Sequence, residues 1–139
     1  MRDKGDFMMK DYIAASFSGG KDSTALILRM IELGDHIDEV VYCDTYKEFP
    51  SMYEHVNKVK EIIENEGIKF TMLKAPKSFD YWMFKYEPQR RNAEVFKEKY
   101  GDAKGKSWPT VKNRWCTGEL KIKIVDAYFE SLACEWNLI

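Results

Sequence analysis

Six consecutive residues, Ser18-Gly19-Gly20-Lys21-Asp22-Ser23, combine two hydroxyls, two glycines, a cation and a carboxylate. Adjacent glycines let the backbone turn through positive φ and come close to a ligand. The apolar run Tyr12-Ile13-Ala14-Ala15 precedes the stretch, and an apolar-striped helical pattern follows it from Thr24 to Leu33. The N-terminus of such a helix offers unpaired N–H groups and the positive end of its dipole. This arrangement predicts a phosphate site.

A Walker-type phosphate loop is excluded by its spacing. It requires a glycine five residues before Gly20 and a Ser or Thr directly after Lys21, and this chain has Ala15 and Asp22 there. The alternative that stays open is an ordinary strand-to-helix turn with capping serines.

Two later stretches also carry polar groups at the ends of predicted elements. Asp44-Thr45-Tyr46-Lys47-Glu48-Phe49-Pro50 follows a nearly continuous apolar run, Glu39–Cys43. Arg114 and Lys121 bracket the start of a predicted helix for which Thr117 is the expected N-cap. A helix N-terminus flanked by cations predicts a second anion site.

Alternating strand and helix patterns place these stretches in an α/β fold, a doubly wound, mostly parallel sheet with flanking helices. The second helix begins at Ser51, which has capping-box spacing with Glu54. In such sheets ligands lie beyond the carboxyl ends of the strands. The predicted elements are strands at 12–15, 39–44 and 69–74, helices at 24–33 and 51–66 ended by Gly34 and Gly67, and later helices at 92–100 and after Thr117.

An aromatic patch follows the third predicted strand. It contains Phe79, Tyr81, Trp82, Phe84 and Tyr86. A base-stacking platform is one interpretation, but aromatics that cover a sheet or line a subunit contact are commoner. Neither histidine is assigned a catalytic role, since His36 lies in a turn and His55 on the polar side of a helix.

Composition and charge bound the class of protein. A chain of 139 residues predicts one domain over 1–139, and no run approaches the roughly 18 apolar residues of a membrane span. The cytoplasm is the expected compartment. Residues 1–70 carry 14 acidic and 9 basic side chains, whereas residues 71–139 carry 9 and 13, so the second half suits a polyanionic ligand. Three cysteines without paired spacing predict neither disulfides nor an iron–sulfur cluster.

Three blocks now resemble, in order, the motifs of the phosphoadenylyl-sulfate (PAPS) reductase family in the PP-loop ATP pyrophosphatase superfamily, the adenine nucleotide alpha hydrolase-like proteins. Residues 18–23 resemble its SGGxDS loop and residues 44–50 its DTGxxFP element. Residues 114–121 resemble its RxCxxxLK segment. The resemblance implies an adenine nucleotide or sulfonucleotide at the carboxyl edge of the sheet. Its implied binding residues are Ser16, Ser18, Gly19, Gly20, Ser23, Asp44, Thr45, Arg114 and Lys121.

The resemblance also implies a chemistry. Lys21 and Asp22 are the implied catalytic residues, and Asp22 would hold Mg²⁺ on ATP only if the chain acts as an ATP pyrophosphatase. Tyr46 departs from the family, which has glycine there, and is expected to change the local turn. The family's ECGLH-like nucleophile segment and its later strand find no counterpart, and Cys134 lacks the flanking glycine and histidine. The sheet is therefore expected to lack that C-terminal strand.

Three functions are carried forward. The first is reduction of adenylyl sulfate or PAPS to sulfite with a thioredoxin-like thiol donor, against which the missing nucleophile counts. The second is a Mg²⁺-dependent ATP pyrophosphatase that adenylates a substrate for sulfur transfer, with nucleic acid as a partner and Cys116 as a sulfur carrier. The third is a non-catalytic, truncated domain that binds nucleotide or forms a homodimer through an open sheet edge.

Overall fold

The computed structural model describes residues 11–89 and 91–135. Its three-stranded parallel sheet has the order β1-β2-β3 and is flanked by helices, which confirms the predicted α/β class. β1 pairs with β2 from Ala14 opposite Glu39 to Phe17 opposite Tyr42. The elements are β1 Ala14–Phe17, α1 Lys21–Leu33, β2 Glu39–Asp44, α2 Pro50–Asn65, β3 Lys69–Lys74, a π-helical turn Tyr81–Lys85, α3 Ala93–Tyr100, α4 Trp115–Thr117, a second π-helical turn Gly118–Ile122, and α5 Lys123–Glu135.

The fold divides into two compact units. Unit 1 lies within Met1–Tyr42 and Glu54–Thr71, and unit 2 lies within Cys43–Tyr53 and Met72–Ile139. The chain therefore passes from one unit to the other inside β2, inside α2 and inside β3. That residues 1–139 act as one nucleotide-binding domain stays a prediction.

Unit 1 has an apolar core built on β2, as the nearly continuous apolar run of that strand predicts. Phe17 of β1 contacts Tyr42 and Phe70, with ring centroids 5.9 and 6.1 Å apart. The buried apolar side chains of this unit are Phe17, Ile27, Ile37, Val40, Val41, Tyr42, Val56, Val59 and Ile63. Packing of α1 against β1 fixes the carboxyl end of that strand.

Element boundaries differ from the predicted ones where turn geometry decides. β1 lies two residues later than expected, and α1 begins at Lys21, because Gly20 is its N-cap. α2 begins at Pro50, so Ser51 lies inside the first turn and is not the N-cap; proline suits the first helical position because its fixed φ is already helical. Gly34 ends α1 at φ +74°, as predicted.

Unit 2 has a core that the sequence did not predict. The aromatic patch supplies Phe79 and Trp82, which pack together with Met83 around the buried side chains of Ala75, Trp115 and Leu120. The predicted N-cap of the last helical run is wrong. Arg114 is the N-cap, and Thr117 lies within the run. Two of the five aromatics of the patch therefore belong to the core of their own unit, whereas Phe84 is exposed.

Gly105 joins the loop after α3 to this core. Its N–H donates to the Tyr86 carbonyl, and the N–H of Lys106 donates to the Trp82 carbonyl over 2.8 Å. Gly105 has φ +83°, and a Cβ built there would lie 1.9 Å from the carbonyl oxygen of Met83. Only glycine permits this approach of two backbones.

Candidate functional site

The turn after β1 is held by its own serine hydroxyls. Ser23 Oγ donates to the Gly20 carbonyl over 3.1 Å, so the 2.9 Å contact between Ser18 Oγ and Ser23 Oγ is donated by Ser18. The N–H of Ser18 donates to Ser23 Oγ, and that of Gly20 to Ser18 Oγ. Gly19 adopts φ +79° between them. Both hydroxyl protons are used within the turn, so its shape exists before any ligand binds.

The helix that follows is open at its N-terminus. Gly20 has extended backbone angles and no side chain, and no side-chain hydrogen bond caps α1 there. Thr24 is the first residue whose N–H bonds back, to the Gly20 carbonyl over 3.0 Å. An anion at this end would therefore be bound by backbone N–H groups and the helix dipole rather than by the serine hydroxyls.

Lys21 and Asp22 are exposed in the first turn of α1. Asp22 borders a hollow along the helix with Ala25 and Arg29. No group of three or more His, Cys, Asp or Glu residues in the described part of the chain could hold a metal ion by itself. One carboxylate beside a phosphate site nevertheless suits Mg²⁺, which is commonly held by one or two carboxylates together with substrate phosphates.

His55 is a residue that sequence reasoning missed. The helical pattern predicts a position on the polar side of α2, but His55 is half-buried, and its Nε2 lies 2.9 Å from Thr24 Oγ1. Since Thr24 Oγ1 donates to the Gly20 carbonyl over 2.8 Å, His55 is the donor to Thr24. The imidazole thus supports the backbone of the turn. No local sequence pattern predicts this hydrogen bond, because it joins residues on two different helices that are 31 positions apart in the sequence.

In unit 2, Asp44 at the end of β2 is almost fully enclosed, at 2% exposure. Its Oδ1 accepts from the N–H of Tyr46 and the hydroxyl of Tyr53, each over 2.8 Å, and Lys74 Nζ lies 2.9 Å from Oδ2. Burial raises the pKa of Asp44, but the hydrogen bonds from these partners outweigh it and hold the pKa below its ordinary value. Asp44 thereby fixes the loop between β2 and α2.

Tyr46 occupies the family's glycine position and adopts φ +68°, the conformation that glycine favours. Tyr46 therefore holds a left-handed backbone conformation that residues with a side chain rarely adopt. Its hydroxyl donates to the Ala75 carbonyl, and Lys74 Nζ lies 5.4 Å from its ring centroid. Thr45 Oγ1 donates to Glu48 over 2.8 Å within the same loop. The loop is ordered by side chains on both sides of Tyr46.

The third predicted block also belongs to unit 2. Lys121 lies in the second π-helical turn, and its positive charge is close enough to Cys43 to affect the pKa of the thiol. Burial raises the pKa of Cys43, and the charge of Lys121 offsets this only in part. Arg114 is exposed at the N-cap. The second anion site predicted at Thr117 has no helix N-terminus there, because the helical run begins at Trp115.

The structure thus groups the predicted residues into two sets. The turn in unit 1 holds Ser18, Gly19, Gly20, Lys21, Asp22 and Ser23, with Ser16 exposed on β1 just before it. The set in unit 2 holds Asp44 and Thr45, with Lys121 close to Cys43. That these residues bind a ligand stays a prediction.

Sequence reasoning also missed Lys106 and Glu119, whose ion pair spans 3.0 Å and is only 22% and 17% exposed. Burial raises the pKa of Glu119, but the hydrogen bonds from Lys123 and Lys106 outweigh it and lower the pKa. Lys106 Nζ lies 4.6 Å from the Trp82 ring centroid and 5.1 Å from that of Tyr86. Lys106 is therefore a paired and largely buried cation of unit 2.

The sequence model of the phosphoadenosine phosphosulfate reductase domain matches residues 12–108, well over half of the chain. The match includes the turn in unit 1 and the loop at Asp44, whereas residues 114–121 lie outside it. A search of curated proteins finds no match. Among the described residues, no helix is both long and apolar enough to cross a membrane.

Proposed function

Because the chain belongs to the phosphoadenosine phosphosulfate reductase domain family, for which a sulfonucleotide-related function is expected, we propose that it binds an adenine sulfonucleotide through the turn after β1. The observation that carries the proposal is the turn itself. It is ordered by its own serines, and no side chain caps the helix N-terminus behind it. Such a site binds an anion with little cost of reorganisation.

Backbone N–H groups of Lys21, Asp22 and Ser23 would bind the phosphate. Asp44 would act indirectly, since its carboxylate oxygens are already used by Tyr46, Tyr53 and Lys74. We assign it the role of a positioning residue that holds Thr45 and Tyr46 in place.

The proposed reaction is reductive cleavage of the sulfonucleotide by an external dithiol of the thioredoxin type. The S–O bond to the phosphate breaks, the nucleotide leaves, and the two thiols are oxidised to a disulfide while the sulfur is released as sulfite. Cys43 does not suit the nucleophile, because burial raises its pKa and keeps the thiol protonated at neutral pH.

A second candidate is favoured by Asp22. An exposed carboxylate in the first turn of α1 would repel a bound phosphate unless a cation lay between them. Mg²⁺ held by Asp22 and the phosphates of ATP would stabilise charge on leaving pyrophosphate. This reaction would adenylate a substrate for sulfur transfer.

Calorimetric titration with adenylyl sulfate, adenosine 3′,5′-bisphosphate and ATP, each with and without Mg²⁺, tests the proposal. We expect adenylyl sulfate to bind without Mg²⁺ and Ser23→Ala to weaken it about tenfold, equivalent to about 1.4 kcal/mol. The matched control is Ser131→Ala, which removes a hydroxyl that donates to the Tyr128 carbonyl in α5. Failure of all three ligands to bind the folded protein would refute the proposal.

Product analysis separates the two reactions. Sulfite released from adenylyl sulfate in the presence of dithiothreitol supports the reductase. Mg²⁺-dependent pyrophosphate release that is lost in Asp22→Asn, but retained in the exposed control Asp35→Asn, supports the ATP pyrophosphatase.

A further inference from the structure

Unit 2 contains a pocket that shares no residue with the predicted nucleotide site. Its volume is about 530 Å³. It is lined by the segment that follows the first π-helical turn, by α3, and by the loop that contains Gly105. The lining includes Tyr86, Phe96, Trp115, Lys104, Lys106 and Asn113. Three aromatic residues, two lysines and one asparagine thus line a single hollow. Of the two lysines, Lys106 is already paired with Glu119, so Lys104 is the one suited to a ligand.

The aromatic wall is held in place. Trp115 is 7% exposed, and its indole N–H donates to the Ser107 carbonyl over 2.8 Å. Tyr86 packs against Trp82 with ring centroids 4.8 Å apart, and Lys106 lies over both rings. Tyr86 and Phe96 are half-buried and supply the exposed ring surface of this wall, with the buried Trp115 beside them. Rigid aromatic surfaces bind planar heterocycles by stacking, since little side-chain freedom is lost.

The polar groups suit the rest of a nucleotide. Asn113 Nδ2 donates to Ser107 Oγ over 2.8 Å, which orients an amide that can both donate to and accept from the edge of a base. Lys104 pairs with Glu87 at the surface, where both side chains are more than half exposed, so the ammonium can exchange this weak pair for a phosphate.

The charged side chains around the pocket favour a single nucleotide over an oligonucleotide. Among the described residues that line this pocket there are two lysines and no carboxylate. The adjoining hollow, which shares Lys104 and Phe96 with it, adds Glu87, Asp102 and Lys97, two carboxylates against one further cation. A phosphate at Lys104 is therefore favoured, whereas a polyanion that continued past it would meet carboxylates.

We propose that this pocket binds a free mononucleotide, with the base on the aromatic wall and the phosphate at Lys104. The proposal stands apart from the function proposed above, because it rests on different residues.

Tryptophan fluorescence and calorimetry with AMP, UMP, ribose 5-phosphate and a hexanucleotide test the inference, all on the Ser23→Ala background to weaken binding at the turn. We expect AMP to quench the fluorescence saturably. Phe96→Leu should weaken AMP at least fivefold and Lys104→Met about fivefold. Lys112→Met, which removes an exposed lysine outside the pocket, should leave AMP binding unchanged.

Circular dichroism of each variant confirms that it is folded. Three outcomes would overturn the inference: no saturable binding of AMP, ribose 5-phosphate binding as tightly as AMP, or equal weakening by Lys112→Met. Tighter binding of the hexanucleotide than of AMP would replace the mononucleotide with a single-stranded nucleic acid as the occupant.

Discussion

Replacement of Gly105 by alanine tests how the core of unit 2 is closed. A Cβ at this position would lie 1.9 Å from the Met83 carbonyl oxygen and 2.5 Å from its carbon, both backbone atoms that no rotamer change can move. The loop that contains Gly105 must then move away from the backbone of the first π-helical turn. It would lose the hydrogen bonds that Gly105 and Lys106 donate to Tyr86 and Trp82.

The expected loss follows from two contributions. Positive φ costs alanine about 1–2 kcal/mol, and two backbone hydrogen bonds contribute about 0.5–1.5 kcal/mol each. We expect Gly105→Ala to lower the free energy of unfolding by about 3 kcal/mol, a shift of about 1.5 M in the urea midpoint at a typical m-value. Urea denaturation followed by tryptophan fluorescence and by far-ultraviolet circular dichroism measures it.

Two matched substitutions separate the causes. Gly34→Ala also places alanine at positive φ, at +74°, but its Cβ meets no atom within 4 Å, so it should cost about 1 kcal/mol. Gly118→Ala lies in helical backbone with an equally open Cβ and should stabilise by about 0.5–1 kcal/mol. If Gly105→Ala costs no more than Gly34→Ala, the close approach to Met83 is wrong.

Three further predictions concern polar contacts. Because the pKa of Asp44 is lowered, the stability that this carboxylate contributes is complete above its unfolded pKa of about 3.9 and is lost as pH falls through the lower folded pKa. Thermal melts at a series of acid pH values should therefore show a smaller loss of stability with falling pH in Asp44→Asn than in the unchanged chain. An equal loss in the two proteins would contradict this. A double-mutant cycle of Lys106→Met and Glu119→Gln should give a coupling of about 1–2 kcal/mol in urea denaturation, and zero coupling would show that the pair contributes nothing. Thr24→Val should cost about 1–3 kcal/mol in the same assay because it leaves His55 without its partner, whereas Thr24→Ser should be near neutral; equal losses would count against the hydroxyl.

Local signals predicted the elements of unit 1. The glycines at 34 and 67 end their helices at positive φ, and the apolar run of β2 is buried as expected. The turn at 18–23 could be predicted because adjacent glycines allow a sharp turn between a strand and a helix N-terminus. Boundaries failed where capping depends on backbone geometry, as at Ser51 and Thr117.

The core of unit 2 and the contacts that hold the turn after β1 could not be predicted from local patterns. The π-helical turns depend on tertiary packing, and a loop of Gly, Asp, Ala and Lys at 101–105 carries no sign that Gly105 meets Met83. His55 on α2 contacts Thr24 on α1, 31 residues earlier in the sequence. Contacts between residues so far apart are set by tertiary structure, which a periodic pattern does not specify.

Tyr46 has a consequence for how this loop can diverge between species. Its side chain anchors a backbone conformation that disfavours side chains, so anchor and strain occur in the same residue. Glycine would relieve the strain and lose the anchor, while most other residues would keep the strain without the anchor. Tolerance at this position should therefore be split between tyrosine and the residues that accept left-handed backbone, glycine and asparagine. A saturation library sorted for folded protein would reveal two separate groups of survivors rather than a graded series.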